Sequence, residues 1–416
     1  MRKIGIIGGG QLGRMTIEEA RSLLCYIEVL SPEYPSPGAE LADETILGGL
    51  MDRDAILELA SRVDVVSYEI EHVNVDALRE IEAMGKPVIP GAAVLALIQD
   101  KAEQKRLLDA AGIATAPWAM AGDGLSPANP SDLCAAAERI GGFPVAQKAR
   151  RGGYDGRGVA ILRNAADAMP VSDGGRMLAA PCFVEKAIDF SKELAVVVAR
   201  DSFGARATYP CVEMVFDPRV NLCDSVLMPA RESPALLAEA ERLALAAVDA
   251  LDAAAKAAAA ARGARGSGAA GIFGVELFLA RDGALLVNEI APRPHNSGHL
   301  SIEACATSQF QQYYRILAGY PLGSVEQLRP AMMVNLLGEP PAAPAASAPG
   351  YELCEPEYLG LEAALAVPGV SVHLYGKREL RAFRKMGHLC ALGVSVEEAM
   401  RRAELARALI RIVAKR

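Results

Sequence analysis

Over the first hundred residues, short apolar runs alternate with amphipathic stretches. Residues 3–7, 26–30, 63–68 and 87–89 read as buried strands, and apolar positions spaced three and four apart over 11–25, 54–62 and 75–84 predict helices between them. Strands alternating with helices imply a parallel, doubly wound sheet over residues 1–99. After residue 100 the rhythm changes: a helix is followed by β-rich sequence with glycine-rich turns, then by a long alanine-rich helix between Pro234 and Gly268, then by further strands. A central domain over 100–324, with a subdomain at about 115–184, and a small C-terminal domain over 325–416 complete an expected α/β and α+β fold. The proline and alanine run over 339–350 reads as exposed loop.

One hairpin stands apart. Residues 276–289 form two strand-like runs around Asp282-Gly283, a dipeptide that favours a two-residue turn. With those two residues as the turn, cross-strand partners sum to 565, as Glu276 and Glu289 do. Like charges directly opposite each other, with Cβ atoms roughly 4.5–5.5 Å apart, destabilise a sheet. Either both acids are splayed into water at an exposed edge, or a divalent cation lies between them; magnesium takes carboxylates in ones and twos when phosphates complete its shell. The next loop favours the cation, because it gathers Asn288, Arg293, His295, Asn296 and His299 directly after a strand, where functional groups are displayed on a rigid frame.

Composition narrows the partners. The 416 residues suffice for two or three domains, and 51% apolar with 23% charged residues is ordinary for a globular protein. A net charge of -8 argues against nucleic acid or an anionic membrane as the main partner. Any phosphate must then be held by local basic groups and backbone amides. Eight cysteines without CxxC spacing and five dispersed histidines give no zinc pattern, and predict reduced thiols in a cytoplasmic protein. No apolar stretch reaches the ~18 residues of a membrane span, and glycines interrupt the N-terminal apolar run too early for a signal-peptide core.

Further segments carry candidate chemistry. Gly8-Gly9-Gly10-Gln11-Leu12-Gly13 joins the first strand to the first helix, where backbone amides can hold an anion. The second strand ends at Ser31, without the acid that would bind an adenosine ribose, so a phosphate or phosphoribosyl group fits this loop better than NAD. Tyr68-Glu-Ile-Glu71 ends a strand of the same sheet, where open α/β sheets bind ligands; a glutamate there can accept from sugar hydroxyls or simply favour a helix start. Lys148 ends a strand that enters Arg150-Arg-Gly-Gly-Tyr-Asp-Gly-Arg-Gly158, whose glycines permit close approach to phosphates but equally suit a flexible hairpin. Residues 183–188 read as an edge strand able to offer its backbone to an adenine, with Glu193 following for a ribose.

Taken in order, these segments resemble the ATP-grasp superfamily and, within it, the N5-carboxyaminoimidazole ribonucleotide synthetases of bacterial and fungal purine biosynthesis. The resemblance rests on Gly10-Gln-Leu-Gly-Arg-Met15, Tyr68-Glu-Ile-Glu71, Gly152-Gly-Tyr-Asp-Gly156, Asn288-Glu-Ile-Ala-Pro-Arg-Pro-His-Asn-Ser-Gly-His299, Thr307-Ser-Gln-Phe310 and Arg384-Lys-Met-Gly-His388. It implies a central ATP-grasp domain with a glycine-rich lid. By resemblance, Lys105, Lys148, Asn288 and the lid residues Gly153, Tyr154, Asp155 and Gly156 contact ATP; Glu185, Lys186 and Ile188 line its adenine pocket; Glu193 holds its ribose; and Glu276 and Glu289 carry magnesium. Aminoimidazole ribonucleotide is expected against Gly10, Gln11, Leu12, Glu71, Tyr154, Arg157, Lys377, Arg384 and Lys385. The implied reaction is carboxylation of that nucleotide by ATP and bicarbonate through carboxyphosphate, with Arg293 neutralising charge and His295 and His299 positioning bicarbonate or moving a proton. A cytoplasmic homodimer is the expected assembly.

Four positions in three segments depart from the family pattern. Arg381-Ala-Phe-Arg384 replaces an Arg-Pro-Gly-Arg turn, His72 stands for asparagine, and Val159 for glutamine. The formate-using glycinamide ribonucleotide transformylase, which shares the two-glutamate hairpin, is the nearest alternative. A dinucleotide-dependent oxidoreductase is opposed by Ser31, and a silent nucleotide-binding scaffold by the full set of acids and lysines.

Overall fold

A computed structural model describes residues 2–153, 158–217, 222–264, 266–339 and 354–415. The lid residues Tyr154, Asp155, Gly156 and Arg157 therefore lie outside the described residues, as does most of the proline and alanine run. The N-terminal apolar runs form β1 (Lys3–Ile7), β2 (Tyr26–Ser31), β3 (Glu44–Leu47) and β4 (Val65–Tyr68), parallel in the order β3-β2-β1-β4. Ile4, Ile6, Ile7, Val29, Leu30, Val65 and Val66 are all buried, which is why these strands read as continuous apolar runs rather than alternating ones. β3 carries no such run and escaped the pattern; residues 87–89 make a single bridge, Val88 with Val66, instead of a strand. α1 (Gln11–Ala20), α2 (Arg53–Arg62), α3 (Val75–Ala83) and α4 (Ala92–Ile98) connect and cover the sheet. Asp52 and Asn74 cap α2 and α3 through their side chains, fixing where each begins.

α5 (Lys101–Ala110) leads into a small antiparallel sheet of β5 (Trp118–Met120), β6 (Val145–Ala149), β7 (Val159–Leu162) and β8 (Cys182–Lys186), ordered β5-β8-β6-β7 and backed by α6 (Pro130–Arg139). β8 pairs on both sides, so the segment expected at an edge is an inner strand. β6 and β7 flank the glycine-rich loop. Its base is tied down where Arg150 donates to Asp100 and to the Gly124 carbonyl at 2.6 Å.

The main sheet is antiparallel. β9 (Phe190–Arg200), β10 (Arg206–Thr208), β11 (Val212–Asp217), β12 (Leu222–Met228), β13 (Gly271–Ala280), β14 (Leu285–Ala291) and β15 (Ala331–Leu337) join two strands from the C-terminal region. That region contributes β16 (Pro356–Leu359), β17 (Val370–Leu374), β18 (Lys385–Leu392) and β19 (Arg411–Ala414), of which β17 and β18 extend the main sheet past β15 while β16 and β19 pair apart. Between β12 and β15 the chain forms α7 (Pro234–Ala260), α8 (Ser301–Ala304) and α9 (Gln309–Ala318). On β9 the two-residue alternation buries both faces: Leu194, Val196 and Val198 pack in the core with α7, and Ala195, Val197 and Ala199 in the core with α9. The second of these cores also holds Ile4, Ile6 and Ile27, so the N-terminal sheet and the main sheet are welded through α1 and α9.

Candidate active site

β13 and β14 set Glu276 opposite Glu289, but not by the predicted route. The turn has three residues, 281–283, closed by Gly283 N to Ala280 O and Ala280 N to Ala284 O, both 2.9 Å, with Gly283 at φ 90. That is a type I turn with a glycine bulge rather than a two-residue loop. Partners near the turn, such as Leu279 with Leu285, sum to 564; a second bulge at Asn288 restores 565 at Glu276 and Glu289. The two departures cancel. Bulges re-aim side chains, and Asn288 accepts from Lys148 Nζ at 2.8 Å while its amide donates to Glu276 Oε2 at 3.3 Å.

Cations converge on these acids. Lys101, at the start of α5, forms an ion pair with Glu289, and His295 Nε2 lies 3.2 Å from Glu276 Oε1. Burial would raise the Glu289 carboxyl, but Lys101, Lys148 and His295 outweigh it and hold it at about 2. Glu193, one strand over on β9, has too little such help: burial first, then the Glu276 charge, outweigh the pull of Lys148 and push its carboxyl to about 8. Beside this group Glu185 is buried between Lys148 and Lys105, the latter at 2.7 Å. Burial would raise the Glu185 carboxyl, but the two ammonium groups outweigh it, and Lys105 in turn is lowered by burial. Lys105 also donates to Thr115 Oγ1 at 2.6 Å, and that hydroxyl donates to the Val287 carbonyl, so α5 is fastened to β14. The Glu185 carboxylate therefore serves as the counter-ion of the two lysines expected at ATP phosphates. Lys186 sends its ammonium to the Gly142 carbonyl at 2.9 Å, and Ile188 follows β8 half-buried.

The glycine loop of the N-terminal sheet is filled from within. Gly10 and Gly13 donate their amides to the buried carboxylate of Glu69, which burial raises against the pull of those amides. A side chain at Gly8 or Gly10 would run into Glu69, and one at Gly9 into Ser31 and Ser36. The expectation that this loop's amides hold a phosphate is thus corrected at Gly10 and Gly13: an internal acid takes them. Gln11 and Leu12 open α1 half-buried. Glu71, two residues further along, accepts from Arg293 Nε at 2.8 Å, linking the N-terminal sheet to the loop after β14. On the far side Lys377 donates to the Lys385 carbonyl at 2.7 Å and sits over the Tyr375 ring. Arg384 donates to the Glu379 carbonyl at 2.8 Å.

His295 and His299 are built into a tight loop. His299 is buried against Phe310, Tyr375 and His388, and burial, followed by the Lys385 charge, lowers its imidazole well below the usual histidine range.

Residues 1–99 match the ribonucleotide synthetase preATP-grasp domain, 106–310 the ATP-grasp domain, and 331–402 the phosphoribosylaminoimidazole carboxylase C-terminal domain. The N5-carboxyaminoimidazole ribonucleotide synthase of Mycobacterium tuberculosis is 37% identical over 97% of this chain and 86% of its own length. The chain belongs to the N5-carboxyaminoimidazole ribonucleotide synthase family. The Bacillus subtilis synthase is 34% identical over 93% of this chain and 90% of its own. Among solved structures, the Thermotoga maritima synthetase superposes with a TM-score of 0.82 at 40% identity over 100% of both chains. The Aspergillus clavatus synthase, in complex with ADP and 5-aminoimidazole ribonucleotide, superposes at 0.82 with 33% identity over 98% of both.

Of the residues singled out by resemblance to the synthases, Lys105, Lys148, Glu185, Glu276, Asn288, Glu289 and His295 form one connected cluster, which Arg293 and Glu71 border. Three residues of consequence were missed. Lys101 stands four before Lys105 on one helix face, a spacing that could have found it. Glu69 and Gln309 lie inside quoted motifs, but only the folded chain shows what they hold.

Proposed function

We propose that the chain carboxylates the amine of 5-aminoimidazole ribonucleotide with bicarbonate and ATP, giving N5-carboxyaminoimidazole ribonucleotide, ADP and phosphate. The observation that carries this reading is the bulged hairpin itself, which gathers Glu276, Asn288 and Glu289 beside Lys101, Lys148 and His295 and runs on into the arginine and histidine loop. The match of residues 331–402 to a carboxylase C-terminal domain favours carboxylation over formyl transfer.

The residues present fit magnesium. Two carboxylates face each other with an amide beside them, an arrangement whose like charges a divalent cation would relieve. An ion held by Glu276 and Glu289 would take its remaining ligands from phosphates and water. Magnesium on Glu276 and Glu289 would neutralise charge on the ATP phosphates.

A bicarbonate oxygen attacks the γ-phosphorus, the bond to ADP breaks, and carboxyphosphate forms. The nucleotide amine then attacks its carboxyl carbon, a nitrogen–carbon bond replaces the carbon–oxygen bond to phosphate, and phosphate leaves as the amine gives up a proton. Lys105 and Lys148, paired with Glu185, supply fixed positive charge for the γ-phosphate, and Arg293 exchanges Glu71 for an anionic substrate group. The hairpin bearing the lid, anchored by Arg150 on Asp100, would shield carboxyphosphate from water. Eight free cysteines support a cytoplasmic setting, and a homodimer belongs to the same proposal.

The test is phosphate release from ATP with magnesium and bicarbonate, with and without aminoimidazole ribonucleotide. Nucleotide-stimulated release is expected, and Glu289→Gln should abolish it while leaving the circular dichroism of the fold unchanged. No stimulation, together with turnover of formate and glycinamide ribonucleotide, would move the assignment to the transformylase. A fully active Glu289→Gln would remove the metal role.

A further inference from the structure

The Thr307-Ser-Gln-Phe310 motif finds no place in the chemistry above, yet its glutamine is wholly buried and spent on the histidine loop. Gln309 Oε1 accepts the His295 amide at 2.9 Å, its Nε2 donates to the His295 carbonyl at 2.7 Å, and the same Nε2 lies 3.1 Å from His299 Nδ1. Its own backbone amide donates to Ser301 Oγ at 2.9 Å, and that hydroxyl donates to the Gly298 carbonyl at 2.6 Å. A side chain at Gly298 would collide with the Gln309 amide. Glutamine, loop and the first turn of α9 are therefore one interlocked unit.

These contacts settle which end of the amide is which. A backbone N–H can only donate and a carbonyl can only accept, so the two bonds to His295 fix the oxygen and the nitrogen of Gln309 without ambiguity. The end facing His299 is the NH2 group, which has no lone pair to offer. His299 Nδ1 must then be the acceptor, and a neutral imidazole with a bare Nδ1 carries its proton on Nε2.

We infer that Gln309 is a positioning residue of the reaction: it holds the His295–His299 loop and locks His299 in the Nε2–H form, making His299 a hydrogen-bond donor to substrate rather than a proton acceptor. The surroundings favour the neutral ring from every side. Arg293 and His295 face it from its own loop, His373 from β17, Lys385 and His388 from β18, with Tyr375 between those strands. None of these offers a carboxylate to hold an imidazolium, and the acids behind them are engaged elsewhere, Glu303 of α8 with His373 and Glu276 with His295. The inference deepens the proposed carboxylation: of the two histidines considered for proton movement, His299 is removed from the role of base.

The test starts without turnover. Long-range nitrogen–proton correlation spectra of the full chain labelled with 15N-histidine, which has only five such residues, read the tautomer of each ring directly. The expected result is His299 in the Nε2–H form without titration between pH 6 and 8; an Nδ1–H form, or ordinary titration, overturns the inference. Gln309→Glu puts an acceptor where the donor stood, and should move the proton to Nδ1. Its kcat should fall on the order of 10–100-fold, as when the partner orienting a functional histidine is lost, with KM for ATP unchanged and the acidic limb of the pH profile moved upward. A wild-type profile in Gln309→Glu, or a loss of rate that only tracks loss of folded protein, reduces Gln309 to a structural residue. Absence of nucleotide-stimulated turnover in the wild type would sink the carboxylation instead, and the spectra would still decide the tautomer.

Discussion

Phe383 stands at φ 61, a left-handed backbone angle that a residue with a side chain adopts at a cost of roughly 1–2 kcal/mol. The reason lies in the turn it completes. Arg384 N donates to the Arg381 carbonyl at 3.1 Å across Ala382 and Phe383, and a turn with positive φ at its third residue is the one that Pro-Gly favours at those two positions. The departure from the family pattern therefore leaves the conformation in place and weakens only its preference for it. Phe383→Gly should stabilise the protein by about 1 kcal/mol, read as a higher denaturation midpoint in urea at unchanged slope; a lower midpoint would show that the Phe383 ring contributes more by packing than its backbone costs. At this scale the sequence was readable in the facing pair of Glu276 and Glu289, which the structure does set opposite each other. It was opaque at Glu69 and Gln309, because an acid that takes the amides of Gly10 and Gly13, or an amide that clamps a loop, is defined by partners 56 to 59 or 10 to 14 residues away.

At the scale of elements, the hairpin explains both what pattern reading achieves and where it stops. Glycine after aspartate announced the turn, but the choice between two and three loop residues depends on the twist of the paired strands, and the Asn288 bulge on what the side chains must reach. The inner position of β8 was likewise invisible, since strand order is set by the fold rather than by any one run. The acids on these strands also make stability depend on pH in opposite senses. Glu289, held at about 2, contributes stability above the ordinary carboxylate range that is lost as pH falls toward 2. Glu193, raised from 4.5 to about 8, keeps a proton in the folded state that the unfolded chain releases, so stability falls as pH rises through that interval. The melting temperature of the metal-free protein should decline between pH 5 and 8, and Glu193→Gln should decline less over the same range. Parallel curves for the two proteins would contradict the placement of Glu193.

At the scale of the whole molecule, the N-terminal sheet and the main sheet meet along one seam, where Glu71 holds Arg293 of the loop after β14. The C-terminal strands are continuous with the main sheet through β12 and β15, and the charges of Lys377 and Lys385 reach Glu69 and His299. The shared core of β1, β2, β9 and α9 joins the two sheets across the seam, while the base of the β6–β7 hairpin is fixed to the start of α5 by Arg150 on Asp100. In the proposed reaction bicarbonate, not water, attacks ATP at this seam. Turnover with 18O-labelled bicarbonate in the presence of aminoimidazole ribonucleotide tells the two nucleophiles apart. One labelled oxygen should appear in each phosphate released, carried there through carboxyphosphate; unlabelled phosphate, with its fourth oxygen drawn from solvent, would contradict attack by bicarbonate.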